Sequence, residues 1–412
     1  MIGAGALDGV KVLDLSRVLA GPWSTQILAD FGADVVKIEN PAGGDDTRKW
    51  GPPFLPPRDG SEVQSESAYY LCCNRNKRSI AVDLSKPEGV KIVKRLAAKA
   101  DILVENFMVG GLKRYGLDYD SLKATNPRLV YCSITGFGQD GPYADRPGYD
   151  FVAQGMGGFM SITGEEGGGP LRAGVAFADL STGNMATISI LIALRHAEKT
   201  GEGQHIDISL LETQLTMLAN QASTYLLDGT VPQRMGNRHP TVVPYTTFEC
   251  SDGHIIIAIG NDAQFRSFCE EFDVPELADD PRFRTSAARL ANREAIEQIV
   301  SELVADKISE EVIERLVAVN VPAGPINSIK DIFESEFVEA RQVVHRFVRE
   351  DGVEIPSVAF PGKLSASPSA YRFRPPEIGE HSREVLSDWL QTSEQEWDSL
   401  RSSEAVTQSD KP

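Results

Sequence analysis

Val10-Lys-Val-Leu-Asp-Leu15, then Pro22-Trp-Ser-Thr-Gln-Ile-Leu-Ala-Asp-Phe31-Gly32, then Asp34-Val-Val-Lys-Ile-Glu39 is the stretch that decides the fold. The first and last segments are short apolar runs of strand length. The middle segment places its apolar residues at helical spacing and stops at Gly32, where glycine commonly follows a helix end. Strand, helix and strand within 30 residues make a βαβ unit, which requires a parallel pair.

The rhythm continues downstream. Ser79-Ile-Ala-Val-Asp-Leu84 reads as a strand. Pro87 to Ala100 opens with Pro-Glu and carries Val90, Val93, Leu96 and Ala97 on one face, so it reads as a helix. Asp101-Ile-Leu-Val-Glu105 and Leu129-Val-Tyr-Cys-Ser-Ile134 follow as strands. The expected fold class is α/β, with a Rossmann-like parallel sheet in a large domain. Gly136 to Gly183 is rich in Gly and Pro and lacks a period. A loop of that length is commonly functional. Helical patterns resume from Asn184 to Leu227 around a short strand at His205–Ser209. Thr246–Cys250, a Ser-Asp-Gly turn and His254–Ile259 predict a hairpin, followed by helices from Ala263 to Val319. Strands are expected near Val344–Val348 and Ser357–Phe360, and residues 392–412 read as a polar, frayed end. The expected domains are 1–225 (large, N-terminal part), 226–328 (small, α+β), 329–392 (return to the large domain) and 393–412 (polar tail).

The 412 residues are 41% hydrophobic, enough for more than one core. A net charge of −18 argues against nucleic acid and anionic membranes as partners. The five cysteines have no CxxC spacing and the six histidines are scattered, so neither a metal site nor a disulfide framework is expected. The start lacks a signal or transit pattern, and the longest apolar run, near Ile188–Leu194, is short for a membrane span. A soluble, cytoplasmic protein with reduced thiols is the expectation.

Gly136-Phe-Gly-Gln-Asp-Gly141 fits GxGxxG, but Pro142 and Pro147 follow and no helix opens there. Dinucleotide binding therefore fails its context test. No P-loop and no GxSxG elbow occurs. Asn74-Arg-Asn-Lys-Arg78 is a basic cluster that is either a solvated loop or a phosphate site. Gly44 to Phe54 is either a surface loop or, through Trp50 and Phe54, a pocket wall. Asp179 is a lone carboxylate just before a helix-like run from Met185 to Ala193. It reads as a helix N-cap or as an oxygen nucleophile beside backbone N–H donors.

Taken together, Val18-Leu-Ala-Gly-Pro22, Gly32–Glu39, Asn76-Lys-Arg-Ser79, Val104-Glu-Asn-Phe107, Asn126-Pro-Arg128, Ser133-Ile-Thr-Gly136 and Lys199-Thr-Gly-Glu-Gly203 resemble the class III CoA-transferases. The resemblance runs from Leu7 to Leu386 and rests on order and spacing rather than on any one motif. It implies that Asp179 is the nucleophile and Asp150 its acidic neighbour. It places CoA or substrate contacts at Leu19, Ala20, Trp50, Tyr69, Val82, Asp83, Leu84, Asn106, Phe107, Met108, Arg114 and Tyr149. It further implies an interlocked homodimer, coenzyme A as the carried group, small carboxylic acids as acceptors and no other cofactor.

The chain departs from the oxalate enzymes of this class at Leu19 and Asn40, where those have Gln and Arg, and in lacking their tetraglycine loop. The Gly44–Phe54 and Val242–Phe248 segments look like the dicarboxylate branch. A second acid carboxylate would then need a cation, with Arg48, Arg172 and the Arg234–His239 segment as candidates. Tyr149 stands where the related α-methylacyl-CoA racemases carry His, which favours transfer over proton abstraction. A non-catalytic CoA-binding protein is the remaining alternative.

Overall fold

The computed structural model describes residues 5–57 and 66–409. Met1–Ala4, part of the leader reading, and Asp410–Pro412, part of the tail reading, lie outside the described residues. The chain forms two compact units, one of residues 1–159, 172–229 and 341–412, the other of 160–171 and 230–340.

The first unit is built on a seven-stranded sheet. Its strands are β1 (Lys11–Asp14), β2 (Asp34–Glu39), β3 (Lys77–Val82), β4 (Ile102–Glu105), β5 (Val130–Thr135) and β6 (His205–Ser209), with a last strand at Val406–Thr407. In space the order is Val406–Thr407, β3, β2, β1, β4, β5, β6. The first six are parallel, with Leu13 opposite both Val36 and Leu103, and Val406–Thr407 runs antiparallel to β3. The six-strand order 3-2-1-4-5-6 is that of doubly wound dinucleotide-binding sheets. The chain reverses direction across β1, so the loops after β1 and β4 part there and leave a crevice.

Both sheet faces are covered, which is why the strands are near-continuous apolar runs. On one face Leu13, Val36, Ile80 and Leu103 pack with Ile92, Leu96, Trp389, Trp397 and Leu400. On the other, Val12, Val35, Val104 and Cys132 pack with Leu28, Ala186, Ile190 and Ala193. The second unit has its own core around Ile255, Ile257, Phe265, Phe268 and Val300. There β7 (Tyr245–Cys250) and β8 (Gly253–Ala258) form the expected hairpin, and β9 (Ala323–Pro325) adds to it. The hairpin of β10 (Val344–Val348) and β11 (Glu354–Val358) belongs to the first unit.

Three expectations are corrected. The described part of the tail is not frayed: Glu394–Ser402 is helical and Val406–Thr407 pairs with β3. Its few apolar residues, Trp397, Leu400, Ala405 and Val406, are all buried, and that burial holds it. The irregular stretch before Gly183 contains helices Asp150–Met156 and Phe159–Ile162. The helix expected from Met185 begins at Phe177 and runs to Thr200. At 24 residues it is long and apolar enough to cross a membrane by length and composition, and half of its apolar window is buried. Ala178, Ala186, Ile190, Ala193, Leu194 and Ala197 place its inner face in the core.

That helix lies tightly on helix Ala20–Asp30. Trp23 Nε1 donates to Asn184 Oδ1 (3.0 Å) and Thr187 Oγ1 to Ser24 Oγ (3.0 Å). A Cβ on Gly183 would stand 2.7 Å from the Ala20 carbonyl oxygen and 3.0 Å from Trp23 Cδ1. In an open helix Gly→Ala stabilises by about 1 kcal/mol. Here Gly183→Ala is expected to destabilise by about 1–3 kcal/mol, because backbone rather than a pliable side chain must yield. A denaturant midpoint at or above wild type, with unchanged m, would contradict this.

Candidate active site

Asp179 is the third residue of helix Phe177–Thr200, not its N-cap. The cap position is Ala176, whose side chain caps nothing. The missing acceptor comes from 28 residues upstream. Asp150 Oδ1 accepts the N–H of Ala178 (2.8 Å) and of Asp179 (3.2 Å). Its other oxygen takes Gln154 Nε2 (2.7 Å), and Gln154 Oε1 in turn accepts Ala173 N–H (2.9 Å). Asp150 is thus fixed as a remote cap at the positive end of the helix.

Two carboxylates meet at this helix start, and only one is hydrogen-bonded by it. Burial, and then the charge of Asp150, push the Asp179 carboxyl up to about 7. Nucleophilic and acid–base groups commonly carry such shifts. Burial, and then the charge of Asp179, push the Tyr69 hydroxyl up from its ordinary value. Trp50 packs edge-on against Tyr69 (5.3 Å).

Asp179 lines a cavity of about 250 Å³. Its walls are the loop after β1 (Arg17–Ala20), the turn after β4 (Asn106–Val109) and the segments Ile134–Gly136 and Ala144–Tyr149. This is the crevice that the strand order creates. Asn106 ties two walls together: its Oδ1 accepts Arg17 N–H (2.9 Å) and its Nδ2 donates to Arg17 O (2.7 Å). Glu105 Oε2 accepts Phe107 N–H (2.8 Å) and shapes the same turn. Gly136 and Gly148 touch backbone to backbone; a Cβ on Gly136 would fall 2.5 Å from Gly148 Cα. Both glycines line the cavity that Asp179 also lines.

Val18, in the first wall, has φ 72°. For a β-branched residue that conformation costs on the order of 1–3 kcal/mol and must be held from outside. Asp45 holds it, accepting Val18 N–H (3.2 Å) and Thr47 N–H (3.0 Å), while Lys37 Nζ pairs with Asp45 (2.9 Å) and donates to Ser16 O (2.8 Å). Sequence reading passed over Lys37 and Asp45, and a charged residue inside an apolar strand was the available signal.

Of the residues singled out in the sequence, Leu19, Ala20, Asn106, Phe107, Met108, Tyr149 and Asp179 line this one cavity. Asp150 braces it, while Trp50 and Tyr69 pack edge-on against each other and are not among its lining residues. Val82, Asp83, Leu84 and Arg114 do not line it. Val82 is in the core, Leu84 packs against that core, Asp83 Oδ1 accepts Ser85 N–H (2.8 Å), and Arg114 stacks on Tyr115 (4.6 Å).

The basic cluster is neither a solvated loop nor a phosphate site. Arg75 is buried against Asp30 (2.6 Å), Lys77 against Asp14 (3.1 Å), and Arg78 against Asp34, Glu384 and Asp388. Arg48 is likewise buried and engaged by Glu39, Glu66, Tyr70 and the Pro376 carbonyl, so it has no fork left for a substrate. Arg234 donates to Gly168 O and Ser161 O, and Arg238 pairs with Glu166, Glu294 and Glu297. Arg172 donates to the neighbouring Ala173 carbonyl and lies outside the cavity lining.

A doubly wound sheet, with a paired-carboxylate helix start in its switch-point crevice, defines the class. Residues 7–382 match CoA-transferase family III, and the chain belongs to that family. It is a CoA-transferase, and CoA thioesters are its substrates. It is 50% identical over 388 residues to a succinate–glutarate CoA-transferase of Agrobacterium fabrum (94% of this chain, 96% of that one). It is 41% identical to the human succinyl-CoA:glutarate CoA-transferase (98% and 90%). A CaiB/BaiF family protein from Brucella suis superposes with a TM-score of 0.82 at 47% identity, over 94% of this chain and all of that one.

Proposed function

We infer that this enzyme moves CoA between dicarboxylic acids of succinate and glutarate size through covalent intermediates on Asp179. The observation that carries the reading is the partly buried Asp179 carboxylate in the cavity, which has no hydrogen-bond partner among the described residues and is backed by Asp150. The acceptors named for the two relatives support the substrate class.

In the first step an Asp179 oxygen adds to the thioester carbonyl. The C–S bond breaks, giving a mixed anhydride and CoA thiolate. The thiolate adds to the Asp179 carbonyl and expels the donor acid, leaving an aspartyl-CoA thioester. An acceptor carboxylate then displaces the thiolate to form a second anhydride. Finally the thiolate attacks the acceptor's carbonyl, and Asp179 leaves as a carboxylate. No electrons change hands and no net proton is consumed. The N–H groups of the helix start are taken by Asp150 and by main-chain carbonyls, so the main chain at Gly136 and Gly148 in the cavity wall is left to supply N–H groups for the developing oxyanions. Tyr149, exposed in the cavity wall, has no proton-abstracting role in this sequence.

The enzyme is further proposed to act as a homodimer in the cytoplasm. Ile188, Leu191 and Ile192 form an exposed apolar stripe on helix Phe177–Thr200 that suits a second copy. Cys72, Cys73, Cys132, Cys250 and Cys269 are all free thiols, which fits a reducing compartment.

The test uses succinyl-CoA and glutarate labelled with ¹⁸O in its carboxylates. Each turnover should leave label in the Asp179 peptide and then in released succinate. Turnover with an unlabelled Asp179 peptide would defeat the covalent route, and absence of exchange would defeat the substrate assignment.

A further inference from the structure

The cavity holds a cation that the covalent chemistry does not use. Among the described residues two arginines line it, Arg17 and Arg146. Arg17 is paired with Asp46 (3.0 Å), so its charge is answered on the spot. Arg146 differs. Among the described residues its guanidinium has no hydrogen-bond or ion-pair partner; it lies over the Tyr143 ring at 4.2 Å. Tyr143 in turn meets Phe137 edge-on at 5.8 Å, and Arg146 N–H closes a turn onto Tyr143 O (2.9 Å). The fork is therefore pre-positioned on an aromatic platform with its N–H edges free, the arrangement that suits a planar carboxylate.

We propose that Arg146 is the specificity-determining residue for the far carboxylate of the dicarboxylate substrate. This rests on the reading given under Proposed function and adds the group that recognises the acid. The cavity favours a carboxylate over a CoA phosphate. It is about 250 Å³ and already contains Asp179. Whatever Asp179 attacks must occupy it, whereas the CoA phosphates sit a whole pantetheine arm away from the sulfur. The arginines that sequence reading favoured for this role are engaged elsewhere, as described above.

The experiment compares glutarate with its half-amide, glutaramate, as acceptors from succinyl-CoA. The reading is the ratio of kcat/KM for the two acids. In wild type the ratio should favour glutarate. In Arg146→Gln it should fall by roughly 10–100-fold, the worth of a charge-assisted bond. Arg146→Lys, which keeps the charge but loses the fork, should fall between them and serves if the Gln variant folds poorly. A ratio near one in wild type would overturn the proposal. So would a ratio unchanged in both variants, including the case where both acids lose rate equally because Arg146 meets a CoA phosphate. Absence of any CoA exchange by wild type is a different result, and it sinks the underlying assignment instead.

Discussion

Asp179→Asn is expected to lose CoA exchange by at least about 10⁴-fold while making the folded protein more stable above pH 7. The first half follows from the covalent route, since an amide supplies no anionic oxygen. The second half follows from the site's electrostatics. Burial and the Asp150 charge hold the Asp179 carboxyl up to about 7, against an ordinary value of 3.8. A raised carboxyl means the folded state holds a proton that the unfolded state releases. Between about pH 4 and 7 the wild type therefore loses stability as pH rises, and above 7 the cost is constant. The Asn variant carries no such cost. Its advantage in Tm should be absent near pH 4, grow through neutrality and level off above 7. Stability–pH curves that superpose for the two proteins would contradict the assignment of a strained charge. In wild type, kcat/KM for the acyl-CoA should climb through pH 7, because the ionised form attacks. Asp150→Asn removes the second cause of the shift, so that limb should move to lower pH while burial keeps it above the ordinary carboxylate range.

The fold was legible where signals are local. The six parallel strands of the large sheet were each expected within two residues of where they lie, and Gly32 and Pro87 mark helix ends within a residue or two. What escaped depended on distant partners. The start of helix Phe177–Thr200 was misplaced because Ala176 carries no capping group and the acceptor is Asp150. Arg48, Arg75 and Arg78 look like solvated or ligand-binding charges until Glu39, Asp30, Asp34 and Glu384 are brought beside them. The tail is polar by count, and four buried side chains suffice to dock residues 394–407. Asp179, Asn106 and Tyr149 could be gathered only through resemblance. Their common cavity arises from three loops that the parallel order joins, a property of topology rather than of spacing along the chain.

Lys37→Met tests whether the cavity wall is held by charge from behind. Lys37 is wholly buried in β2, paired with Asp45 and bonded to Ser16 O. Burial works to raise Asp45, yet Lys37 and the Thr47 bonds prevail and hold it down to about 2. Removing the lysine strands that carboxylate without a counter-ion. Breaking such a pair costs about 3–5 kcal/mol, and the wall turn at Val18, whose N–H Asp45 accepts, should relax with it. Asp45 is depressed when folded, so its contribution is present above its ordinary value near 4 and is lost as pH falls toward 2. The gap between wild type and Lys37→Met should therefore be widest at neutral pH and narrow on acidification. Adding Asp45→Asn to the variant should recover part of the loss, because the orphaned charge goes with it. Denaturant midpoints across pH 3–7 read all three. A neutral-pH loss below about 1 kcal/mol, or a gap that does not narrow in acid, would mean that packing alone shapes the wall against which CoA thioesters meet Asp179.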